Sequence, residues 1–550
     1  MSGQPTRGNK WTRRKFISTT LQAGGAISLL GWPGCGTKHS HEIPCRFAGA
    51  NANFGHLLKN LELTLPTHTI EIPLLIIGGG VSGLTAGYEL WNQGIKDFLL
   101  IDNGDIPGGN SMGRTNAYSS YPLGAHYLTL PNADNINLLR FLEKNNLITG
   151  YADDGKPIYN ELDMCHAPQE RLFIKNKWQD GLIPHYGITR DDEQQIKKFL
   201  HFTEVLKNKK NTEGKYIYNV PFAHGALDDE ALALDQISCK QWLTMNGFTS
   251  EALHWYVNYG TRDDYGTRID DISALVGLHY FAARRGEAAN ASAHTVLTWP
   301  EGNHHLVKLL TSPIQSNIRN RIMALQVKTN EDKIQVICAE EGKPGVFEII
   351  CNQAIFATPQ YINQRLLKEE AAFTERFHQP LEYSPWLVAN IVLEDFGNNE
   401  LSHPVSWDNV IYGSDSLGYV YAQHQQLAPV KGPRVITWYY PVVQPSGKQG
   451  REFLRNATEA YWLKKITDDL EIAHPGIAKK ILDVELWQWG HAMIQPLPGV
   501  VTQCMKNEIQ KPIRQQYYFC HSDLSGVSLF EEAFFHGMRA ANEVVKSMQV

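Results

Sequence analysis

Apolar positions along this chain alternate between two periods, and the change of period is most regular over Leu74 to Asp102. Leu74-Leu75-Ile76-Ile77 is a short continuous apolar run, which predicts one strand buried on both faces. Leu84, Tyr88 and Trp91 then recur at helical spacing, with Gly94 where a helix would stop. Phe98-Leu99-Leu100-Ile101 predicts a second buried strand, ending on Asp102. Between the first strand and the helix stands Gly78-Gly79-Gly80-Val81-Ser82-Gly83, which fits G-x-G-x-x-G. In that pattern the first glycine permits a tight turn, the second admits a pyrophosphate to the backbone amides, and the third lets helix and strand pack closely. The helix N-terminus adds partial positive charge. Asp102, 19 residues after Gly83, is placed to accept hydrogen bonds from a ribose diol, with Asn103 beside it. A glycine-rich turn alone would say little. Strand, glycines, helix, strand and acid in this order predict a dinucleotide site.

The same reading places elements further along. Asn137 to Leu142, Ile196 to Leu200 and Leu306 to Leu310 have helical spacing. Ile322 to Val327, Lys333 to Ala339, Ala354 to Phe356, Leu387 to Leu393 and Tyr517 to Cys520 read as strands. Tyr256 to Tyr265 reads as a loop crowded with aromatics, Arg262, Asp263 and Asp264. It is set either as a pocket wall, with Tyr259, Arg262, Asp263, Asp264 and Tyr265 beside Tyr127 facing a cationic substrate, or as a salt-bridged structural turn.

Composition narrows the class. A chain of 550 residues with 43% hydrophobic and 20% charged positions can bury a large core and form two or more domains. A formal charge of −6 gives no reason to expect nucleic acid as a partner. The eight cysteines have no C-x-x-C pair and no zinc spacing, so no metal site is expected. A Cys338–Cys351 bridge across a hairpin is the one disulfide alternative to buried thiols. Residues 1–45 read as an export signal and linker: Thr12-Arg13-Arg14-Lys15-Phe16-Ile17 precedes a mildly apolar stretch from Ser18 to Leu30. This resembles a twin-arginine signal, implying the twin-arginine machinery as a partner and a periplasmic or exported location. Cys35 is a minor candidate for a lipid anchor.

Four further stretches carry a family resemblance. Gly108-Gly109-Asn110 follows the second strand, Arg114 comes soon after, and Leu123-Gly124-Ala125-His126-Tyr127 follows. Trp299-Pro300-Glu301-Gly302-Asn303 and Ala354-Ile355-Phe356-Ala357-Thr358-Pro359 recur later. The chain ends with Asp523, Gly526, Leu529-Phe530-Glu531-Glu532-Ala533, and Gly537 with Arg539-Ala540-Ala541. Together these resemble the flavin-containing amine oxidase and phytoene desaturase superfamily.

The resemblance implies an α/β fold: a Rossmann-type FAD-binding domain from 70–130, 298–375 and 485–550, with an α+β substrate domain from 131–297 and 376–484. It implies that FAD is held non-covalently, since the family's flavin-linking cysteine has no counterpart. By resemblance, Gly78, Gly80, Val81, Ser82, Gly83, Asp102, Asn103, Gly108, Gly109, Asn110, Arg114, Gly124, Ala125, His126, Ile322, Thr358, Asp523, Leu529 and Phe530 would contact it. His491 and Asn390 are the catalytic candidates. Asn390 stands near the place where many amine oxidases put a lysine, and Leu529 where they often put a cage tyrosine. Those departures keep three readings open. The first is two-electron oxidation of an amine or amino acid, with oxygen or a respiratory acceptor reoxidising the flavin. The others are desaturation of an isoprenoid or carotenoid-like hydrocarbon, and flavin binding without turnover.

Overall fold

The computed structural model describes residues 43–59, 65–330, 332–376, 380–396, 404–427, 430–506 and 508–549. The expected export signal and Cys35 lie outside them. Ile43 onward forms one unit by its contacts.

The first apolar run sits in strand Thr69–Ile77, whose last four residues are buried. It is central in a sheet of seven strands among the described residues. Parallel neighbours are Phe98–Ile101 on one side and Phe347–Phe356 on the other, and Tyr517–Phe519 pairs parallel with the end of Phe347–Phe356. Ile322–Asn330 and Lys333–Glu340 form an antiparallel extension on Phe347–Phe356. Parallel strands need covered faces, which explains why their sequences are apolar without alternation. Helix Val81–Asn92 covers one face, and the C-terminal helix Phe530–Met548 packs against it. That packing is close: a Cβ on Gly537 would lie 2.4 Å from the Ser82 carbonyl oxygen. The helix stops as the sequence predicts, with Gly94 at φ +88° and the Ile95 amide donating back to the Leu90 carbonyl.

A second sheet has eight strands in the order Cys45–Gly49, Ile481–Ile494, Tyr383–Leu393, Arg434–Pro441, Tyr419–Tyr421, Asp408–Ile411, Glu170–Ile174 and Lys177–Asp180. Strand Tyr383–Leu393 is buried throughout its length. Two expected boundaries fall inside this sheet. Residue 485 lies within strand Ile481–Ile494, and Cys45 opens the strand that pairs with it.

Tyr256 to Tyr265 is helix rather than loop. It forms most of Glu251–Tyr265, capped by the Ser250 hydroxyl, which accepts from the Leu253 amide, and closed by Gly266 at φ +59°. Polar and aromatic residues disguised its period, because the face that Val257 and Tyr265 present to a helical core also carries glycine and threonine. Cys338 and Cys351 are buried free thiols on neighbouring strands, and no bridge joins them.

Candidate active site

Three glycines at the end of the first strand do different jobs. Gly78 has φ +109°, and a Cβ there would sit 2.8 Å from the Ala357 carbonyl oxygen. A Cβ on Gly83 would come within 1.9 Å of the Gly78 carbonyl oxygen, so only glycine lets the helix approach the strand. Gly80 has ordinary dihedrals, φ −72° and ψ 178°, and its Cβ would meet nothing within 4 Å. Its missing side chain leaves open space at a helix N-terminus that no side chain caps. Val81 and Ser82 are buried in the first turn. Open space beside helix amides is what a pyrophosphate requires, so the residues present fit a dinucleotide.

Asp102 borders this space. Its Oδ2 accepts from the Gly79 amide at 2.6 Å and its Oδ1 from the Gly104 amide at 2.8 Å. Burial raises its pKa, and the two amides pull it back only in part. Asn103 is exposed. The Ile322 amide donates to the Asp102 carbonyl at 2.8 Å, bringing that backbone alongside Asp102. The Gly108 amide donates to the Gly79 carbonyl at 2.7 Å, which folds the Gly108–Gly109 turn over the glycine loop. Thr358 holds Asn363 through its hydroxyl. Arg114 differs from expectation: Asp105 engages its guanidinium at 2.7 Å, so its charge is already matched. Asp523 differs too. Its Oδ2 accepts from the Tyr383 hydroxyl at 2.6 Å and the Gln360 amide at 3.0 Å, and its Oδ1 lies 3.1 Å from His521 Nδ1. Burial works to raise its pKa, but His521 and those donors outweigh it and hold it an anion. That carboxylate ties three segments together.

From the glycine loops the chain reaches a cavity of about 140 Å³ against the second sheet. Gly124-Ala125-His126-Tyr127 forms one wall. Its position is fixed from several sides. The Ala125 amide donates to the Asn110 carbonyl at 2.8 Å, and Gly124 approaches that same carbonyl too closely for a Cβ, which would lie at 2.3 Å. The Tyr439 hydroxyl donates to the Gly124 carbonyl at 2.9 Å and Trp489 Nε1 to the Leu123 carbonyl at 2.6 Å. The His126 ring packs 4.7 Å from Tyr439, and burial lowers its pKa to about 4. It is therefore neutral near pH 7.

Opposite stand Asp263, Asp264 and Arg284, with Trp386, Val388, Leu529, Phe530 and Glu531 completing the lining. Arg284 is ion-paired to Asp264, and the Tyr127 hydroxyl donates to Asp264 at 2.9 Å. Asp263 receives only a long contact from Tyr127, 3.4 Å, and has no cationic partner among the described residues. Burial first, then the charge of Asp264, raises its pKa, with Arg284 opposing. Glu531, whose pKa burial also raises, accepts from Thr129 at 2.9 Å. The cavity thus holds three carboxylates and one guanidinium.

The other residues expected here lie elsewhere, each for a geometric reason. A helix turns about 100° per residue, so Arg262 and Tyr265 point away from Asp263 and Asp264, while Tyr259, one turn before Asp263 on the same face, falls outside the cavity lining. Tyr259 donates to Asp408 at 3.0 Å, Arg262 to the Asp415 carbonyl, and Tyr265 is buried in the helical core. His491 sits in an irregularity: strand positions Ser384 and Trp386, two apart, pair with Met493 and Trp489, four apart. Trp489, Ala492 and Met493 reach the cavity. His491 instead stacks on Tyr361 at 4.3 Å, its pKa lowered to about 3 by burial and then by Arg451. Asn390 is two residues beyond Val388, outside the cavity, and accepts from the Thr437 hydroxyl at 2.8 Å. Neither catalytic candidate lines the site. Arg284, Trp386, Val388 and Tyr439 were missed, and only the fold, which brings a loop and two strands of the second sheet to one cavity, identifies them.

Comparison with known proteins agrees with this geometry. Residues 76–144 match the model of an NAD(P)-binding Rossmann-like domain. No curated protein sequence matches the chain. Among solved structures, a putrescine oxidase triple mutant from a redesign of cofactor binding aligns at 13% identity, covering 87% of this chain and 100% of that one, with a TM-score of 0.64. Cyclohexylamine oxidase from Brevibacterium oxydans aligns at 12% identity over 87% and 100%, TM-score 0.62. A putative protoporphyrinogen oxidase from Exiguobacterium sp. 255-15 aligns at 12% identity over 88% and 100%, TM-score 0.59. At such identity the likeness concerns the fold. The chain has an α/β architecture of the amine oxidase type, with a Rossmann-type dinucleotide-binding domain and an interleaved second sheet.

Proposed function

We propose that this protein is a FAD-dependent oxidoreductase that removes two electrons from a small cationic amine. The observation that carries the reading is Asp263, a carboxylate without a cationic partner among the described residues, on the wall of an aromatic-lined cavity. A buried carboxylate beside a second acid is costly unless a cation joins it. An alkylammonium group would supply that cation. Desaturation of a hydrocarbon is less well supported, because a hydrocarbon would leave Asp263 and Glu531 uncompensated.

FAD, when bound, would supply a two-electron acceptor for the hydride leaving the carbon next to nitrogen. Gly78, Gly80 and Gly83 would admit its pyrophosphate, and Asp102 its ribose. Asp263 would hold the ammonium and, with its raised pKa, take one proton from it near neutrality. The amine so freed loses hydride, becomes an iminium and hydrolyses to a carbonyl compound and a smaller amine or ammonia. His126, neutral and packed against Tyr439, would exclude water without repelling the cation. Oxygen or a respiratory carrier would take the electrons onward. Export through the twin-arginine route to the periplasm belongs to the same proposal.

The test is anaerobic addition of primary amines to the purified flavoprotein. Bleaching of the flavin absorbance by an amine is expected, with acid precipitation releasing free FAD. Dithionite reduction without response to any amine would remove the amine reading and favour a carrier role. Asp263→Asn is expected to lower kcat/KM roughly 100-fold, as loss of a desolvated charge pair does, about 3 kcal/mol. An unchanged value would exclude Asp263 as the anchor.

A further inference from the structure

A separate cleft of about 590 Å³ opens on the outer face of helix Gln360–Leu366, the helix that follows Thr358. Gln360, Asn363 and Leu366 of that helix are buried, while Gln364 and Arg365, with Lys368 just beyond, line the cleft. Across it stand Leu58, Lys59 and the edge strand residues Leu325 and Gln326. The charges are one-sided. Among the described residues Lys59, Arg365 and Lys368 have no ion pair or hydrogen bond. Arg451 and Arg455, on the neighbouring helix Gly447–Asn456, add to the field. Both act on Lys59, lowering its pKa after burial and Arg365, and Arg455 acts likewise on His56.

This concentration stands on a chain whose net charge is −6. Cations packed around a concavity repel one another, and an anion placed among them offsets that cost. Arginine offers two parallel donors to an oxyanion, lysine a point charge, and the Gln326 and Gln364 amides further donors. Leu58 and Leu325 give the same cleft an apolar wall, which a bare inorganic ion would not use.

We propose that this cleft binds a small organic phosphate, its phosphate group held by Lys59, Arg365 and Lys368 and its apolar body against Leu58 and Leu325. The site shares no lining residue with the cavity against the second sheet, so the proposal stands or falls independently of the amine reading.

The experiment is calorimetric titration of the flavin-loaded protein with phenyl phosphate and, separately, with inorganic phosphate, at low ionic strength. Phenyl phosphate is expected to bind saturably, one per chain and more tightly than inorganic phosphate. Arg365→Gln with Lys368→Gln should weaken it at least about tenfold, the scale of losing one charge-assisted contact. Both side chains are exposed, so the visible spectrum and the ligand-free thermal midpoint should not change. Absence of saturable binding, equal affinity in the double variant, or phenyl phosphate binding no tighter than inorganic phosphate would each overturn the proposal.

Discussion

Gly80 and Gly83 stand three residues apart and should fail differently when an alanine is introduced. At Gly83 the added methyl would lie 1.9 Å from the Gly78 carbonyl oxygen, so helix or strand must move. Gly83→Ala is expected to destabilise the fold by about 1–3 kcal/mol or more, read as a lower thermal midpoint even without cofactor. At Gly80 the methyl enters open space, and the backbone is already in a region any residue adopts. Gly80→Ala should fold normally and lose flavin affinity on reconstitution. Equal thermal loss in the two apoproteins would refute the division of roles. Asp263 yields a pH prediction at the same scale. Burial and Asp264 displace its pKa upward, so the acid limb of kcat/KM should lie above the ordinary carboxylate range, toward neutrality. In Asp263→Asn that limb should disappear from the residual activity. The glycines were legible because their roles are local. Asp263 was legible as a charged candidate, but Arg284, which pairs its neighbour Asp264 and leaves Asp263 unmatched, lies 20 residues from Asp264 and carries no motif.

At the scale of elements, the start of the C-terminal helix is tied to the segment carrying Phe222 through Glu532. Its Oε1 accepts from the Phe222 amide at 2.7 Å and its Oε2 from the Ser525 hydroxyl at 2.6 Å. The Ser525 hydroxyl is also 2.8 Å from His536 Nε2. Burial raises the Glu532 pKa to about 7, with the two donors opposing. The folded protein therefore keeps this proton between the ordinary glutamate pKa and about 7, where the unfolded chain has released it. Glu532 consequently costs stability as pH rises through that window, by an upper bound of about 3 kcal/mol. Glu532→Gln should flatten this fall between pH 5 and 8 in thermal denaturation. A parallel pH profile in wild type and variant would show that Glu532 does not titrate there. Nothing in the sequence pairs Glu532 with Phe222, which is 310 residues away. Elements with a clean period were legible, including strand Thr69–Ile77 and helix Val81–Asn92. Glu251–Tyr265 was not, because its apolar face is diluted by polar side chains, and no pattern marks the strand irregularity that turns His491 away.

The whole molecule adds a constraint that no local pattern announces. The second sheet draws its strands from four stretches of the chain, and its edge is Cys45–Gly49, parallel to Ile481–Ile494. Parallel pairing across more than 400 residues has no turn to signal it, which is why Cys45 read as the end of a linker and no strand was expected at residues 46–49. Yet Phe47 and Ala48 pack on the sheet's two faces, and Gly49 lies so close to Trp487 that a Cβ would fall 2.4 Å from its ring. Trp487 borders Trp489, which pins the loop carrying Gly124 and His126. The N-terminal strand therefore supports the cavity wall from behind. A chain beginning at Ala50 should lose on the order of 2 kcal/mol, the burial of roughly one large side chain, and expose a strand edge open to pairing between molecules. Its thermal midpoint should fall and its size-exclusion profile should show association, whereas a chain beginning at Ile43 should match the full-length protein. If the proposed substrate oxidation depends on that wall, the Ala50 chain should also lose turnover in the fraction that remains monomeric. Full stability and activity from Ala50 onward would mean that the edge strand merely decorates the sheet, and that the cavity is fixed by strands Tyr383–Leu393 and Arg434–Pro441 alone.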